Sequence, residues 1–297
     1  VSYRNTLPRV LSDVIAPRAE RTGREGRFPR GSVTALGEAG LLGLTVSADL
    51  GGGGRGVDEA AEVVARIAGA CPATAAVLQS HYAAVAVIEA CGSPWVRGEI
   101  AAGRHLSSLA LAERPGGADG ADGADGADGA AGASVSRSGE VVALRARKRE
   151  VVAAGEADSY VWSSLPLAAA DGLTLWLVPA HASDLFVPAR ADGTGPRGSA
   201  TSTVLADPVL VPADAMLGED GAGGGIVLRT VLPWLRALRD AVGAAAVHPS
   251  VALAAQAPAA QAPAATAQPA PAAMGAVAQS GTAAQFGAAA SAATALR

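Results

Sequence analysis

Apolar residues along this chain change their period twice. Up to about residue 103 they recur at three- and four-residue steps, the period of one helical face. From Ser107 they alternate or come in short runs, as strands do, and near residue 226 the helical step returns. Within the first part, residues 5–25 set Leu7, Val10, Leu11 and Val14 on one face, and Pro17 is predicted to kink or end that helix. A helix over 32–42 follows, with Ser32 as its cap, Leu36 and Leu41 as apolar positions and Gly43 as the C′ residue. The clearest amphipathic pattern is 57–71, where Val57, Ala60, Ala61, Val64, Ile67, Ala68 and Cys71 share a face. Asp58 and Glu59 fall in its first turn, opposing the positive helix end, and Glu62 and Arg66 are spaced to pair. Pro72 opens the next helix, which carries Val77, Leu78, His81, Val85 and Ile88 and stops at Gly92. Ser93-Pro94 then supplies N-cap and N1 of a helix ending near Gly103.

The second part predicts a compact β domain. Residues 133–148 form a hairpin turning at Ser138-Gly139, with Val141, Val142 and Leu144 in its second arm. Further strands are expected over 159–164, 173–178, 184–187 and 201–205. Residues 207–212, with Pro208 and Pro212, are expected at a sheet edge, since proline cannot donate to a ladder. A last helix is expected over 226–247. Two stretches stand apart. Residues 117–128 repeat Gly-Ala-Asp without EF-hand spacing or its terminal Glu, which predicts a solvated loop rather than a calcium site. From Ala254 the chain is mostly Ala, Gln and Pro and has little to bury.

Composition adjusts this picture in three ways. Half of the residues are hydrophobic but only 3% are aromatic, so alanine supplies much of the interior and each buried side chain removes little area. At about 25 cal/mol per Å² such a core is weakly stabilised for its length. The formal charge of −4 leaves no nucleic-acid footprint, and Lys148 is the only lysine, a compositional bias towards arginine. The two cysteines, Cys71 and Cys91, form no CxxC, metal or disulfide pattern and are expected as small buried hydrophobes in a reducing compartment. Val1-Ser2-Tyr3-Arg4 opens no signal-peptide pattern, and no apolar run reaches the roughly 20 residues of a membrane span. A cytoplasmic protein with no membrane span and no nucleic-acid partner is the expectation. The four glycines 51–54 are followed by no Gly-Lys-Ser/Thr, so a flexible loop is expected there instead of a phosphate loop.

Several short motifs resemble the acyl-CoA dehydrogenase family, in the family's order. Gly40-Leu41-Leu42-Gly43-Leu44, the glycines 51–54, Cys71-Pro72-Ala73-Thr74-Ala75 and His81 are similar to its N-terminal helical domain. The junction Leu109-Ala110-Leu111-Ala112-Glu113-Arg114-Pro115-Gly116-Gly117 resembles its E-P-G-x-G-S-D turn with Arg114 inserted. Gly195 to Thr201 resembles its G-x-R-x-S-x-T, and Val211-Pro212 through Gly221 its V-P…L-G…G-x-G. The resemblance spans roughly residues 5–247. It implies an α+β fold: an N-terminal helical domain over 1–106, a middle β-barrel domain over 107–220, a remnant of the C-terminal helical domain over 221–253, and a low-complexity tail over 254–297. The member is truncated or diverged, lacking most of the C-terminal helical domain.

The resemblance also implies FAD and an acyl thioester substrate, carried on CoA or a carrier protein. In the family a carboxylate removes the α-proton while the flavin takes hydride from the β-carbon, so the base must lie within hydrogen-bond reach of that proton. The usual catalytic Glu comes late in the C-terminal helical domain and has no similar motif here. Some branches place it just before an Arg on the first C-terminal helix; the matching position is Leu235, ahead of Arg236. Asp240 lies one turn further on and is expected on a solvated face. The flavin-contacting hydroxyl of the family corresponds to Ala112, and the substrate-side Ser to Ala118. The family's K-x-(W/F)-I-(T/S)-N corresponds to 148–153, with Glu150 in place of the aromatic and Val152 in place of the hydroxyl residue. Backbone groups of Ala110, Leu111, Ala112, Val151 and Val152 are therefore the cofactor-binding candidates, with Ala118 on the substrate side and no catalytic base identified. Glu113 and Glu150 are expected as solvent-exposed charges. The resulting expectation is an acyl-CoA dehydrogenase-like flavoprotein, an FAD-dependent oxidoreductase of CH–CH groups with impaired or lost activity as a lone chain. The alternatives are a non-catalytic subunit, homo- or hetero-oligomeric with acyl-CoA dehydrogenase-like chains, and a flavin monooxygenase of the same fold.

Overall fold

Leu7, Leu11 and Ile15 are buried along a helix that starts at Tyr3 and stops at neither of its prolines, Pro8 and Pro17. The structure, a computed structural model, describes residues 3–111 and 133–247. The expectations for Ala112, Glu113, Ala118, the Gly-Ala-Asp repeat and the tail after Ala254 lie outside the described residues. Helix α1 (Tyr3–Val10) passes through a π turn, Leu11–Ile15, into α2 (Ala16–Glu25). The Ala16 N–H reaches back to the Leu11 carbonyl, and the widened turn takes up Pro17, which has no N–H to give and needs room beside the preceding turn. The expected break at Pro17 is thus a π turn within a continuing helix.

Helix α3 (Arg30–Glu38) is the expected second helix with different ends. Pro29 is its N-cap and Ser32 is buried inside it, so Ser32 caps nothing. Gly40, at φ 73°, closes it, with the Leu41 N–H on the Leu36 carbonyl at 2.8 Å. Gly43 has another reason to be glycine: a Cβ there would lie 2.6 Å from the Ala101 carbonyl oxygen. Likewise a Cβ on Gly37 would overlap the Gly103 carbonyl oxygen. The 51–54 loop, expected to be flexible, is tied down. Gly53, Gly54 and Arg55 donate to the carbonyls of Gly43, Val46 and Leu44 at 2.9, 2.8 and 3.0 Å.

Helices α4 (Val57–Ala68), α5 (Pro72–Cys91) and α6 (Pro94–Ala101) follow the apolar pattern, and Ser93 caps α6 by accepting from the Val96 N–H. Helix α5 is buried nearly all round, which makes it the axis on which the other elements are laid. Its first half faces the helical core of Leu36, Leu41, Val64 and Ile67; its second half, with Val85 and Ile88, meets Val161 and Leu175 of the sheets. Cys71 is buried beside it and Cys91 is partly buried. No helix among the described residues is long and apolar enough to cross a membrane.

The strands are β1 (Ser107–Ala110), β2 (Ser134–Ser138), β3 (Val141–Val151), β4 (Ser159–Ser164), β5 (Thr174–Pro179), β6 (Leu185–Phe186), β7 (Ser202–Pro212) and β8 (Met216–Leu217). They make two four-stranded sheets, ordered β1-β4-β5-β8 and β2-β3-β7-β6. The expected β-barrel is not closed among the described residues: each sheet keeps two edges, because no ladder there joins one sheet to the other. The sheets enclose a shared core around Val142, Leu144, Trp162, Trp176, Val204 and Val211. Lys148 is fully buried in this region, its Nζ donating to Ser163 Oγ at 2.8 Å and lying 5.2 Å from the centre of the Trp162 ring. The expected strand 201–205 and edge segment 207–212 are one strand, β7. Leu144 faces Val209 and Ala146 faces Ala206, so Asp207 and Pro208 sit together in a bulge opposite Arg145. Beyond that bulge β7 pairs with β3 alone, which is the expected edge. After β8 the chain turns helical through α7 (Gly223–Ile226), a second π turn (Val227–Val231) and α8 (Leu232–Val247), which packs on α4.

Asp220 fastens the end of the sheet region. Its carboxylate accepts from the backbone N–H groups of Leu167, Ala168 and Ala169 and from Thr174 Oγ1, at 2.6 to 2.9 Å. Partial desolvation pushes its pKa up, but these donors outweigh it and hold the carboxyl well below the usual range.

Candidate functional site

Strand β1 is an edge strand, so one side of its backbone must find partners outside the sheet. Helix α5 supplies them. The Ser107 N–H donates to His81 Nδ1 at 3.1 Å, which leaves the ring proton on Nε2, donated to the Leu42 carbonyl at 3.0 Å. Burial pushes the His81 pKa down to about 4, so the ring is neutral and structural. Two residues on, the Leu109 N–H donates to Ser80 Oγ at 3.0 Å. Ser80 and Ser108 share a hydrogen bond of 2.7 Å, and Ser108 Oγ donates to the Val152 carbonyl at 2.6 Å. Only one direction satisfies all four groups: Leu109 N–H to Ser80, Ser80 to Ser108, Ser108 to Val152. This relay couples α5, β1 and the end of β3. The strand ends at Ala110, and Leu111 carries the chain on past Ser80.

There the structure has a cleft of about 380 Å³. Leu109 and Leu111 from the β1 edge, Val152 after β3 and Leu235 of α8 give it apolar walls. Ala76, Gln79 and Ser80 of α5 line one side, and Thr194 to Pro196 with Thr201 line another. Arg149, Glu150 and Arg239 are its charged residues. Glu150 has φ 53°, in the left-handed region that non-glycine residues rarely enter, and both its carboxylate oxygens accept from the Thr194 N–H while one also takes the Thr194 hydroxyl. Ala153 and Ala200 are left-handed too, at φ 56° and 50°. They are locked by Ala153 N–H to Ser199 O and Ala154 N–H to Ala200 O, each at 2.9 Å. Such residues cost of order 1 kcal/mol each and collect at ligand sites. Asp192 anchors the same loop from outside through Ser202 and Thr203.

Of the residues singled out from sequence, the structure brings Leu111, Val152, Glu150 and Leu235 to this one cleft. The side chains of Ala110 and Val151 point into the core between the sheets, so only their backbone is available on the cleft side. Ala112 and Ala118 lie outside the described residues. Asp240 is exposed and lines a neighbouring groove along α8 with Leu228 and Leu232, one that shares Leu235 and Arg239 with the cleft. The Ser80–Ser108 relay and Arg239 were not anticipated. A serine on the mostly apolar, mostly buried helix α5, between Gln79 and His81, was the available signal for the relay, because a buried hydroxyl needs a partner.

Residues 2–102 match the family model described as acyl-CoA dehydrogenase, N-terminal domain. Human mitochondrial short-chain specific acyl-CoA dehydrogenase is 28% identical over 223 residues, which cover 72% of this chain and 52% of that protein. The chain thus spans about half the length of this curated relative. Among solved structures, butyryl-CoA dehydrogenase from Megasphaera elsdenii superposes with a TM-score of 0.70 at 21% identity, over 84% of this chain and 67% of that one. FMN-bound TdsC from Paenibacillus sp. A11-2 superposes with a TM-score of 0.67 at 17% identity, over 81% of this chain and 60% of that one. At these identities the structural likeness speaks to the fold.

Proposed function

We propose, from the premise that this chain is a relative of the acyl-CoA dehydrogenases carrying their N-terminal domain over residues 2–102, that it is a dehydrogenase-like flavoprotein with little or no turnover as a lone chain. The observation that carries this reading is convergence. Leu111, Val152, Thr201 and Leu235 come from four separate sequence motifs and line one cleft. We read 1–106 and 107–220 as the family's helical and β domains and 221–253 as a remnant of its C-terminal helical domain. The cleft suits the ring of a flavin in that its walls are apolar and the chain just past the β1 edge, at Leu111, lines it. Leu109, Leu111 and Val152 would lie against the ring, with the backbone of 110–111 and 151–152 at its polar edge; when bound, FAD supplies the hydride acceptor.

Among its described residues the same cleft offers no free carboxylate for α-proton removal. Glu150 is the one carboxylate among its described lining residues, and Thr194 occupies both of its oxygens. Leu235 stands where some family members keep their Glu. General base catalysis is typically worth about 10²–10⁴-fold, so an acyl-CoA, or an acyl group on a carrier protein, would be bound with little dehydrogenation. Purified protein should acquire the visible flavin bands on incubation with FAD and show negligible bleaching with a straight-chain acyl-CoA. Protein that stays colourless removes the flavoprotein reading, and rapid bleaching with turnover removes the claim about the base.

One observation favours a second reading, a non-catalytic subunit paired with a dehydrogenase-like chain. Leu228 and Leu232, 66% and 48% exposed, form an apolar stripe that runs on into Leu235. Stable co-purification with a full-length dehydrogenase would support it; a monodisperse monomer would not. That no base is identified among the described residues also leaves room for a flavin monooxygenase, whose sign would be oxygen-dependent reoxidation of the reduced protein.

A further inference from the structure

Away from that cleft, the end of α2 and the start of α3 enclose a second concavity of about 530 Å³. Arg18, Arg21, Arg27 and Arg30 line it, with Glu25 as the one acid in the lining. Arginine in place of lysine carries no weight here, since the chain has a single lysine. What matters is how the charges are placed. Arg27 pairs with Glu25 at 3.7 Å and Arg30 pairs with Glu156. Arg18 gives one N–H to the Val14 carbonyl, and among the described residues neither Arg18 nor Arg21 is in an ion pair. Four guanidinium groups against two carboxylates leave two positive charges facing one hollow, in a chain whose net charge is −4.

The backbone adds to this imbalance. Arg30 is the first residue of α3, and the Arg18 Nε lies 4.0 Å from where a Cβ of Gly31 would stand. Arg30 and Arg18 thus sit at the positive end of a nine-residue helix that no side chain caps. Cations belong at the other end of a helix, so the arrangement is unfavourable as an empty surface and favourable around an anion. Phe28 also lines the hollow and holds the Arg30 guanidinium 5.0 Å from its ring centre, giving an apolar wall beside the charges.

We propose that this hollow binds a phosphate monoester dianion carried on a small organic group. Two uncompensated guanidinium groups match the dianion, and the remaining volume and the Phe28 wall take the organic part. The proposal does not depend on the flavin reading, and its test uses no flavin and no turnover. The full chain is titrated calorimetrically with adenosine 3′-monophosphate, inorganic phosphate and adenosine. Adenosine 3′-monophosphate should bind more tightly than inorganic phosphate, adenosine should not bind, and binding should weaken as salt rises. Phosphate binding as tight as the nucleotide's would keep the anion site and reject the organic part. Arg18→Gln with Arg21→Gln should lower affinity at least about tenfold without lowering the melting temperature of the unliganded protein. Arg137→Gln, on the β2–β3 hairpin, should leave affinity unchanged. No heat and no shift in melting with any phosphate at about 10 mM, a Kd weaker than most specific sites, overturns the proposal. So does an equal loss in Arg137→Gln, which would reduce the effect to overall charge.

Discussion

His81 makes a pH-dependent prediction whose size follows from its burial. The ring is fully buried, neutral, and bonded on both nitrogens, to the Ser107 N–H and the Leu42 carbonyl. Its pKa falls from an ordinary 6.5 to about 4 on folding, chiefly because burial disfavours the imidazolium. Above pH 6.5 the ring is neutral in both states and adds no pH dependence. Below it the unfolded chain takes up a proton that the folded one refuses until about pH 4, so stability falls as pH falls through this window. The full difference is about 3 kcal/mol, and about 2 kcal/mol of it is lost between about pH 7 and pH 5. Urea unfolding followed by the fluorescence of buried Trp162 and Trp176 reads the stability at each pH. His81→Gln cannot titrate. It should be less stable than the parent at neutral pH, and the gap between them should shrink by about 2 kcal/mol at pH 5. His105, whose pKa burial also lowers, tilts both proteins alike and cancels in the comparison. A gap that stays constant across the window would mean that His81 is not held neutral, and the account of the α5–β1 contact would fail with it.

Other predictions concern separate parts of the molecule. Asp220→Ala should cost about 2–3 kcal/mol, since charge-assisted bonds to three backbone amides and a hydroxyl are lost. Because the Asp220 pKa is depressed on folding, the parent's advantage should be present above the ordinary Asp range and vanish as pH drops well below it, as measured by thermal melts across pH. Gly37→Ala should cost about 1–3 kcal/mol by forcing α3 off the Gly103 carbonyl; an unchanged melting temperature would show that this contact has slack. Leu235→Glu puts a carboxylate into the cleft and should raise acyl-CoA dehydrogenation by the flavin-loaded protein about 10²-fold or more. No gain, with flavin still bound, would show that α8 does not face the reacting carbon.

Much of the fold was legible because it is written in local period. The α4 pattern and the Ser93-Pro94 start of α6 needed only neighbouring residues. Helix ends were harder. Gly40 and Gly43 look alike in sequence, yet one is needed for its left-handed φ and the other for the space beside Ala101. Pro17 misled because a proline's effect depends on whether the turn before it can widen. Barrel closure was not legible at all: it depends on hydrogen bonds between strands far apart in the chain, and alternation along each strand is the same in an open sheet. In the cleft, Leu111, Val152 and Leu235 could be named through motif order. The Ser80–Ser108 relay could not, since it joins α5 to β1 across 28 positions. Glu150 is exposed, as expected, but its left-handed backbone and its grip on Thr194, beside the register shift between Lys148 and Val151, were not legible.

The burial of Lys148 has a chemical consequence for the protein's surface. It is the only lysine in the chain, and none of it is exposed. Activated acyl groups react without any enzyme at accessible primary amines, and the guanidinium of arginine stays protonated and inert to them. A thioester that meets the folded protein therefore finds no lysine side chain to acylate. Amine-directed cross-linkers and dyes should likewise leave the body of the fold untouched until it opens, which turns the labelling of Lys148 into a clock for the separation of the two sheets.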